Sequence, residues 1–322
     1  MILVTGSLAF DYIMDFPGSF SDHIMPDKIH QINLSFLVNT LNKQNGGNAG
    51  NIAYNLALFK QRVSIVGVVG HDFSDYGNFL KDAGVDISQI KTLRDKSTSS
   101  AFIVTDKKDN QISAFHPGAM SEASSLSLGD IKADIVVISP NDPKAMVKFA
   151  QECMDRKMAY MLDPGMQLPA LNVEGLTKML SGATILIGND YEISLLKEKL
   201  SMNDTQLLST VKILITTLGE KGSIIQTAGL PDSPSRSQGP PGRWPIKAGK
   251  PTQVVDPTGA GDAYRAGFLA GFLKGLDLKT CGQMGSTAAC YAIEKYGTTN
   301  HKFTIEEFKE RYEQNFGHSL SF

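Results

Sequence analysis

The chain has 322 residues, 42% of them hydrophobic and 20% charged, with a formal net charge of −2. That length allows one large α/β domain and a smaller companion, and the near-neutral charge offers no basic field for nucleic acid or an anionic membrane. Cys153, Cys281 and Cys290 form no metal spacing and no disulfide framework, which fits a reducing cytoplasm, and no apolar run is long enough to span a bilayer.

The N-terminal run Ile2 to Thr5, ending in Gly6-Ser7, reads as a buried strand rather than the start of a signal peptide. Asn48 to Phe59 has helical apolar spacing, Val63 to Val69 is a β-branched strand stopped by Gly70, and Ser74 to Ala83 is a second helix. Further strands are predicted at Asp134 to Ile138, Ala159 to Leu162, Thr184 to Ile187 and Lys212 to Thr216. Helices fall at Pro143 to Lys157, at Tyr191 to Leu200, and over most of the chain from Ala260. This alternation predicts an α/β fold, a mostly parallel sheet with helices on both faces, in which ligands sit at the carboxyl ends of strands. Ser7, Asn189, Thr217 and Asp262 lie at such places.

Two segments break the pattern. Phe10 to Asn45 has aromatic and β-forming residues but no convincing helix, and Thr98 to Ala119 alternates around a Lys107-Lys108-Asp109-Asn110 turn. Together they predict a small antiparallel sheet, a lid that excludes water. The division is residues 1–9, 46–97 and 120–322 for the large domain, and 10–45 and 98–119 for the lid. Gly229 to Gly249, rich in Pro, Ser and Gly, reads as a surface loop anchored by Trp244.

The most informative stretch is Asp256-Pro257-Thr258-Gly259-Ala260-Gly261-Asp262. Gly259 and Gly261 bring bare backbone close to a ligand, and the helix that follows aims its free N–H groups and positive dipole end at the turn. Such a turn attracts phosphate, and Asp262 in it is placed to accept a proton from a hydroxyl. An ordinary helix cap fits Asp262 as well. No G-x-x-x-x-G-K-[ST] occurs, so this is no P-loop enzyme, and Tyr264 stands where a dinucleotide fingerprint needs a third glycine, which argues against NAD.

Gly46-Gly47-Asn48-Ala49-Gly50-Asn51 is a second glycine turn opening a helix, with amides that suit a hydroxyl-rich ligand or simply cap the helix. Asp11, just beyond the first strand, suits a pair of adjacent hydroxyls. Asn189 and Glu192 share a helix face and suit Mg²⁺ held through water, or a capping box. Thr217-Leu218-Gly219-Glu220-Lys221-Gly222 forms a further turn after a strand.

The order and content of these motifs resemble the ribokinase-like (PfkB) carbohydrate kinase family over essentially the whole chain. The Gly46–Asn51 and Asp256–Asp262 stretches look like its two signatures, Asn189 to Glu192 like its magnesium box, and Thr217 to Gly222 like its T-x-G-x-x-G turn. Longer stretches, among them Phe115-His116-Pro117-Gly118-Ala119 and Asp262-Ala263-Tyr264-Arg265-Ala266-Gly267, are most similar to bacterial adenosine kinases of the mycobacterial type. His116 and Asp163-Pro164-Gly165 depart from that pattern.

The resemblance implies a three-layer αβα sandwich with a β lid. Its activity would be an ATP-dependent kinase that phosphorylates the 5′-hydroxyl of adenosine in the cytoplasm, with Asp262 as base and, in the turn that starts at Gly259, the N–H groups of Ala260, Gly261 and Asp262 as anion hole. Asp11 and Asn51 would hold the ribose, Ser7 and Gly47 would line the site, and Phe102 and Phe115 would pack on the purine. ATP would lie against Asn189, Thr217, Gly219, Gly222, Gly259 and Gly261. Mg²⁺ would be held through water by Asn189 and Glu192, and K⁺ would lie near the Gly-Ala-Gly turn. A homodimer through the lid would cover its exposed β edge. A kinase for ribose, another sugar or another nucleoside, and a non-catalytic nucleoside sensor, are the alternatives. An intact Asp262, Asn189 and Glu192 argue against the sensor.

Overall fold

The computed structural model describes residues 1–24, 33–108, 110–228 and 242–321. From the N-terminus the chain forms β1 (Ile2–Thr5), β2 (Ala9–Asp15), β3 (Thr40–Gly46), α1 (Asn48–Leu58), β4 (Val63–Gly70), α2 (Ser74–Asp82) and β5 (Ile90–Leu93). Next come β6 (Ser99–Thr105), β7 (Gln111–His116), β8 (Ile135–Ile138), α3 (Pro143–Asp155), β9 (Tyr160–Leu162), α4 (Val173–Ser181), β10 (Ile185–Asn189) and α5 (Asp190–Leu200). The last part holds α6 (Asp204–Thr210), β11 (Ile213–Thr217), β12 (Ser223–Thr227), β13 (Gly242–Ile246), α7 (Ala260–Leu273), α8 (Leu278–Ile293) and α9 (Ile305–Phe316).

Among the described residues the main sheet has nine strands in the order β13-β12-β11-β10-β9-β8-β1-β4-β5. Every ladder from β11 to β5 is parallel, and β12 and β13 add an antiparallel edge. A parallel strand is covered on both faces, which is why β8 is wholly apolar, β1 is apolar up to Thr5, and neither has an exposed residue. Alternate side chains feed opposite layers. Ile2 and Val4 pack with Ala49, Ile52, Ala266 and Phe268 of α1 and α7. Leu3 packs with Met146, Phe149, Leu176 and Leu196 of α3, α4 and α5. The result is a three-layer αβα sandwich. α7 and α8 approach closely because small residues face each other: a Cβ on Gly267 would lie 2.6 Å from the Met284 carbonyl oxygen.

Strand order reverses at β1, which lies between β4 and β8. The crevice at such a reversal is where open α/β sheets bind ligands. The backbone there is pinned: Ser139 Oγ donates to the Thr5 carbonyl at 2.7 Å, and the Ser7 N–H donates to the Pro140 carbonyl at 2.9 Å.

The second sheet has the order β3-β2-β6-β7. It is mixed, not antiparallel as expected: β2 pairs β3 antiparallel and β6 pairs β7 antiparallel, but β2 and β6 run parallel. Both leave the same edge of the main sheet, β2 after β1 and β6 after β5, so they rise in one direction. Asp109 of the expected hairpin turn lies outside the described residues. So do residues 229–241 of the Pro- and Gly-rich stretch. Its end is not a loop: Trp244 sits in β13 opposite Ile225, and Pro245 is tolerated because β13 is an edge strand.

Candidate active site

Two glycine turns meet at the crevice, one opening α1 and the other α7. At the first, Gly47 has φ +85°, and a Cβ on it would lie 2.6 Å from the Ser7 carbonyl oxygen. A Cβ on Gly46 would lie 2.2 Å from Asp11 Oδ2. Glycine is required here because the backbone after β1 and the Asp11 carboxylate already fill the space. Ser7 ties the turn down: its Oγ accepts the Asn48 N–H at 3.1 Å and its carbonyl accepts the Ala49 N–H at 3.0 Å.

At the second turn, Gly259 has φ +82° and is the N-cap of α7. Asp256 fixes the entry, accepting the N–H groups of Thr258 and Gly297, both at 2.9 Å. The α-helical ladder begins with the Ala263 N–H donating to the Gly259 carbonyl at 3.0 Å. The N–H of Ala260 makes a long 3.3 Å bond to Pro257, and those of Gly261 and Asp262 precede the ladder at the positive end of the helix.

Asp262 is not a cap. It lies in the first turn of α7, the N-cap Gly259 makes no side-chain bond, and the carboxylate points away to α1. Asn48 Nδ2 donates to its Oδ1 at 3.0 Å and Asn51 Nδ2 to its Oδ2 at 2.9 Å. It is 5% exposed. Burial raises its pKa, and Arg265, Asn48 and Asn51 pull the other way. Two carboxylate oxygens keep lone pairs beyond these two bonds, so a hydroxyl proton still has an acceptor.

Asp11 faces the same crevice. Its pKa is raised to about 6, by burial first and then by the charges of Asp262 and Asp256. A half-buried carboxylate beside other carboxylates is relieved by hydrogen-bond donors, which two adjacent hydroxyls could supply. Asn51, expected to share that task, is committed elsewhere: beside its bond to Asp262, its Oδ1 accepts the Thr298 hydroxyl at 2.8 Å. Both ends of its amide are thus engaged within the protein.

The two lid phenylalanines separate. Asp11 pairs with Ala101, which pairs with Phe115, so Asp11 and Phe115 share one face of the small sheet. Phe102 follows Ala101 and therefore points to the other face, stacked on Tyr12 with ring centroids 5.0 Å apart. The expected aromatic clamp of both rings on one base does not form; Phe115 alone stands on the Asp11 side.

Asn189 and Glu192 form a capping box at the end of β10: Asn189 Oδ1 accepts the Glu192 N–H and Glu192 Oε2 accepts the Asn189 N–H, both at 2.8 Å. The capping box engages one Glu192 oxygen, Oε2, and the Glu192 charge is felt at Asp163 and Asp262. Among the described residues no cluster of three or more His, Cys, Asp or Glu could hold a metal. These two oxygen donors fit Mg²⁺ that keeps its waters and arrives with phosphates. Thr217 ends β11 next to Asn189, and the turn beyond it has Gly219 at φ +58° and Gly222 at φ +90°, the latter against the Ile246 carbonyl. All these residues lie at the carboxyl edge of the main sheet.

Arg265 pairs with a carboxylate. Its Nε lies 2.7 Å from Asp163 Oδ2, both side chains nearly buried. Burial works against the Arg265 charge, but Asp163 and Asp262 outweigh it and raise its pKa; burial raises that of Asp163 to about 6. Asp163 and Thr298 could not be placed by spacing, since each reaches its partner across a long stretch of chain.

A helix turn with free N–H groups, a buried carboxylate within it and a second carboxylate facing the same crevice have the chemistry of a kinase acting on a sugar or nucleoside hydroxyl. The chain belongs to the pfkB family of carbohydrate kinases, whose family model matches residues 10–304. A nucleoside kinase of Methanocaldococcus jannaschii is 32% identical over 317 residues, 98% of this chain and 97% of the relative. The structure of the Burkholderia thailandensis nucleoside kinase in complex with inosine superposes with a TM-score of 0.89 at 34% identity, covering 99% of each chain. The same protein in complex with ADP-inosine gives 0.87 at 34% identity, over 100% of this chain and 98% of that one. The similarity is thus to archaeal and bacterial nucleoside kinases and not specifically to the mycobacterial adenosine kinases expected from the sequence. No helix among the described residues is long and apolar enough to cross a membrane.

Proposed function

We propose that this chain is an ATP-dependent nucleoside kinase that phosphorylates the 5′-hydroxyl, with adenosine as its preferred acceptor and AMP as product. The observation that carries the reading is the placement of Asp262, gripped by two asparagines inside an anion-binding turn and facing Asp11 across one crevice. Asp11 accepts the ribose hydroxyls and presents the 5′-oxygen to Asp262. Asp262 takes the hydroxyl proton as the 5′-oxygen forms its bond to the γ-phosphorus and the bond to the β–γ bridging oxygen breaks, releasing ADP. The N–H groups of Gly261 and Asp262, with Ala260, receive the charge of the transferring group. This is catalysis by positioning and preorganised electrostatics. Mg²⁺ bound with ATP neutralises phosphate charge, and Asn189 and Glu192 would hold it through its water shell.

Phe115 on the Asp11 face supports a base-bearing acceptor over free ribose, since an aromatic face suits a flat heterocycle. The opposite lid face supports the homodimer. Leu41, Met14, Val104 and Ile112 align across the sheet there, beside Tyr12 and Phe102, and Leu41 is 64% exposed. A second reading is preference for inosine, favoured by the inosine complexes of the Burkholderia enzyme. Initial rates with adenosine, inosine, guanosine and ribose at equal concentration, with MgATP, decide. A preference for adenosine supports the reading; a preference for inosine replaces the acceptor and keeps the chemistry; turnover of ribose alone overturns the nucleoside assignment.

A further inference from the structure

Asp163 and Arg265 are buried, charged and unused by the reaction as described above. Arg265 lies one helical turn beyond Asp262, so both side chains share a face of α7. Its Nη1 lies 2.6 Å from where a Cβ on Gly261 would be, so the guanidinium sits directly against the glycine turn. Gly261 is glycine to admit that group. Asp163 stands just past the carboxyl end of β9, 1% exposed. Its Oδ1 is buried with no hydrogen-bond partner, so the carboxylate is no hub of structural bonds. Arg265 is its ion-pair partner among the described residues. Burying such a pair gains little stability over an apolar pair of the same volume.

We propose that Asp163 and Arg265 are a positioning pair for the transfer: Asp163 holds the Arg265 guanidinium under the Gly259–Gly261 turn, where its charge steadies the Asp262 carboxylate without closing on it. The inference rests on Asp262 as the base. Facing Asp262 are Arg265 on its own helix, Asp163 from the end of β9, Glu192 from α5, Asp11 from β2 and Tyr76 from α2. Three of these are carboxylates that oppose a further negative charge, and Arg265 is the cation that offsets them. Without Arg265, Asp262 holds its proton to higher pH. Without Asp163, the guanidinium is freed toward Asp262, which becomes a weaker base.

The two substitutions therefore move the acid limb of the kcat/KM–pH profile in opposite directions. Arg265→Gln shifts the limb upward by about 1 to 2 pH units, and Asp163→Asn shifts it downward and lowers the plateau. Arg265→Lys, which keeps the charge, stays near the wild-type limb. The double variant Asp163→Asn/Arg265→Gln leaves neither member of the pair as a lone buried charge, folds even if a single variant does not, and shows an upward shift smaller than that of Arg265→Gln. Ionisation of ATP itself is common to all variants and drops out of the comparison. A uniform loss of rate with the limb unmoved in Arg265→Gln and in the double variant overturns the proposal. Wild-type turnover surviving in Asp262→Asn overturns instead the base assignment beneath it, so the two failures are distinct.

Discussion

The two glycine turns have similar sequences and different surroundings. At Gly46-Gly47 the protein has filled the space a side chain would take, with the Ser7 carbonyl and the Asp11 carboxylate. At Gly259-Ala260-Gly261 the nearest atom to a Cβ on Gly261 is the end of one arginine side chain, and the N–H groups of Gly261 and Asp262 precede the helical ladder. The first turn is closed by backbone and carboxylate; the second meets mainly side chains, Arg265 at Gly261 and Thr298 at Gly259. A glycine-rich motif alone does not distinguish the two; the neighbours supplied by the fold do.

The sharpest break in that comparison comes from Asp262→Asn, which should lower kcat by about 10²- to 10⁴-fold while nucleoside affinity, measured by calorimetry, stays unchanged. Asp11→Asn should do the reverse, weakening nucleoside binding by about 10²-fold or more through lost charge-assisted bonds. It also carries a stability signature. The folded pKa of Asp11 is raised from 3.8 to about 6, so the native state binds more protons over that window and stability falls as pH rises through it. Asp11→Asn should therefore raise the Tm of the ligand-free protein at pH 7 and give no gain below pH 4.

Gly47→Ala should lower stability by about 2 to 5 kcal/mol, from strain at positive φ plus a backbone clash, read by denaturant unfolding. Gly261→Ala should leave unfolding nearly unchanged, because an arginine side chain yields where a carbonyl does not, and should lower kcat by about 10- to 100-fold through misplacement. Similar stability losses in both variants would erase the distinction between the turns. The smallest effect separates the lid faces: Phe115→Ala should raise the KM for adenosine by about 5- to 10-fold, while Phe102→Ala leaves it unchanged.

Much of the main sheet was legible because buried parallel strands write themselves as short apolar runs, as Ile2 to Thr5 and Ile135 to Ile138 do. The strands β5 and β12, and the helices α4 and α6, were not. Ile90–Leu93 mixes polar and apolar residues at an edge, and Asp204–Thr210 is a two-turn helix too short to show a period. The site was legible as a set of motifs but not as a geometry. That Asn51 serves Asp262 depends on residues 211 positions apart meeting in space. That Phe102 and Phe115 diverge depends on strand register, which alternation within one strand leaves open. The Asp163–Arg265 pair has no spacing signature because β9 and α7 meet only once the sheet is assembled.

The central claim is transfer of a phosphoryl group to the 5′-oxygen of a nucleoside by Asp262 in an anion-binding turn. Phosphorus NMR of the protein with adenosine and MgATP tests it most directly. Equal appearance of ADP and a 5′-monophosphate is expected with the wild-type chain, and none with Asp262→Asn. ADP without a nucleotide product, or a phosphate on another hydroxyl, would contradict it.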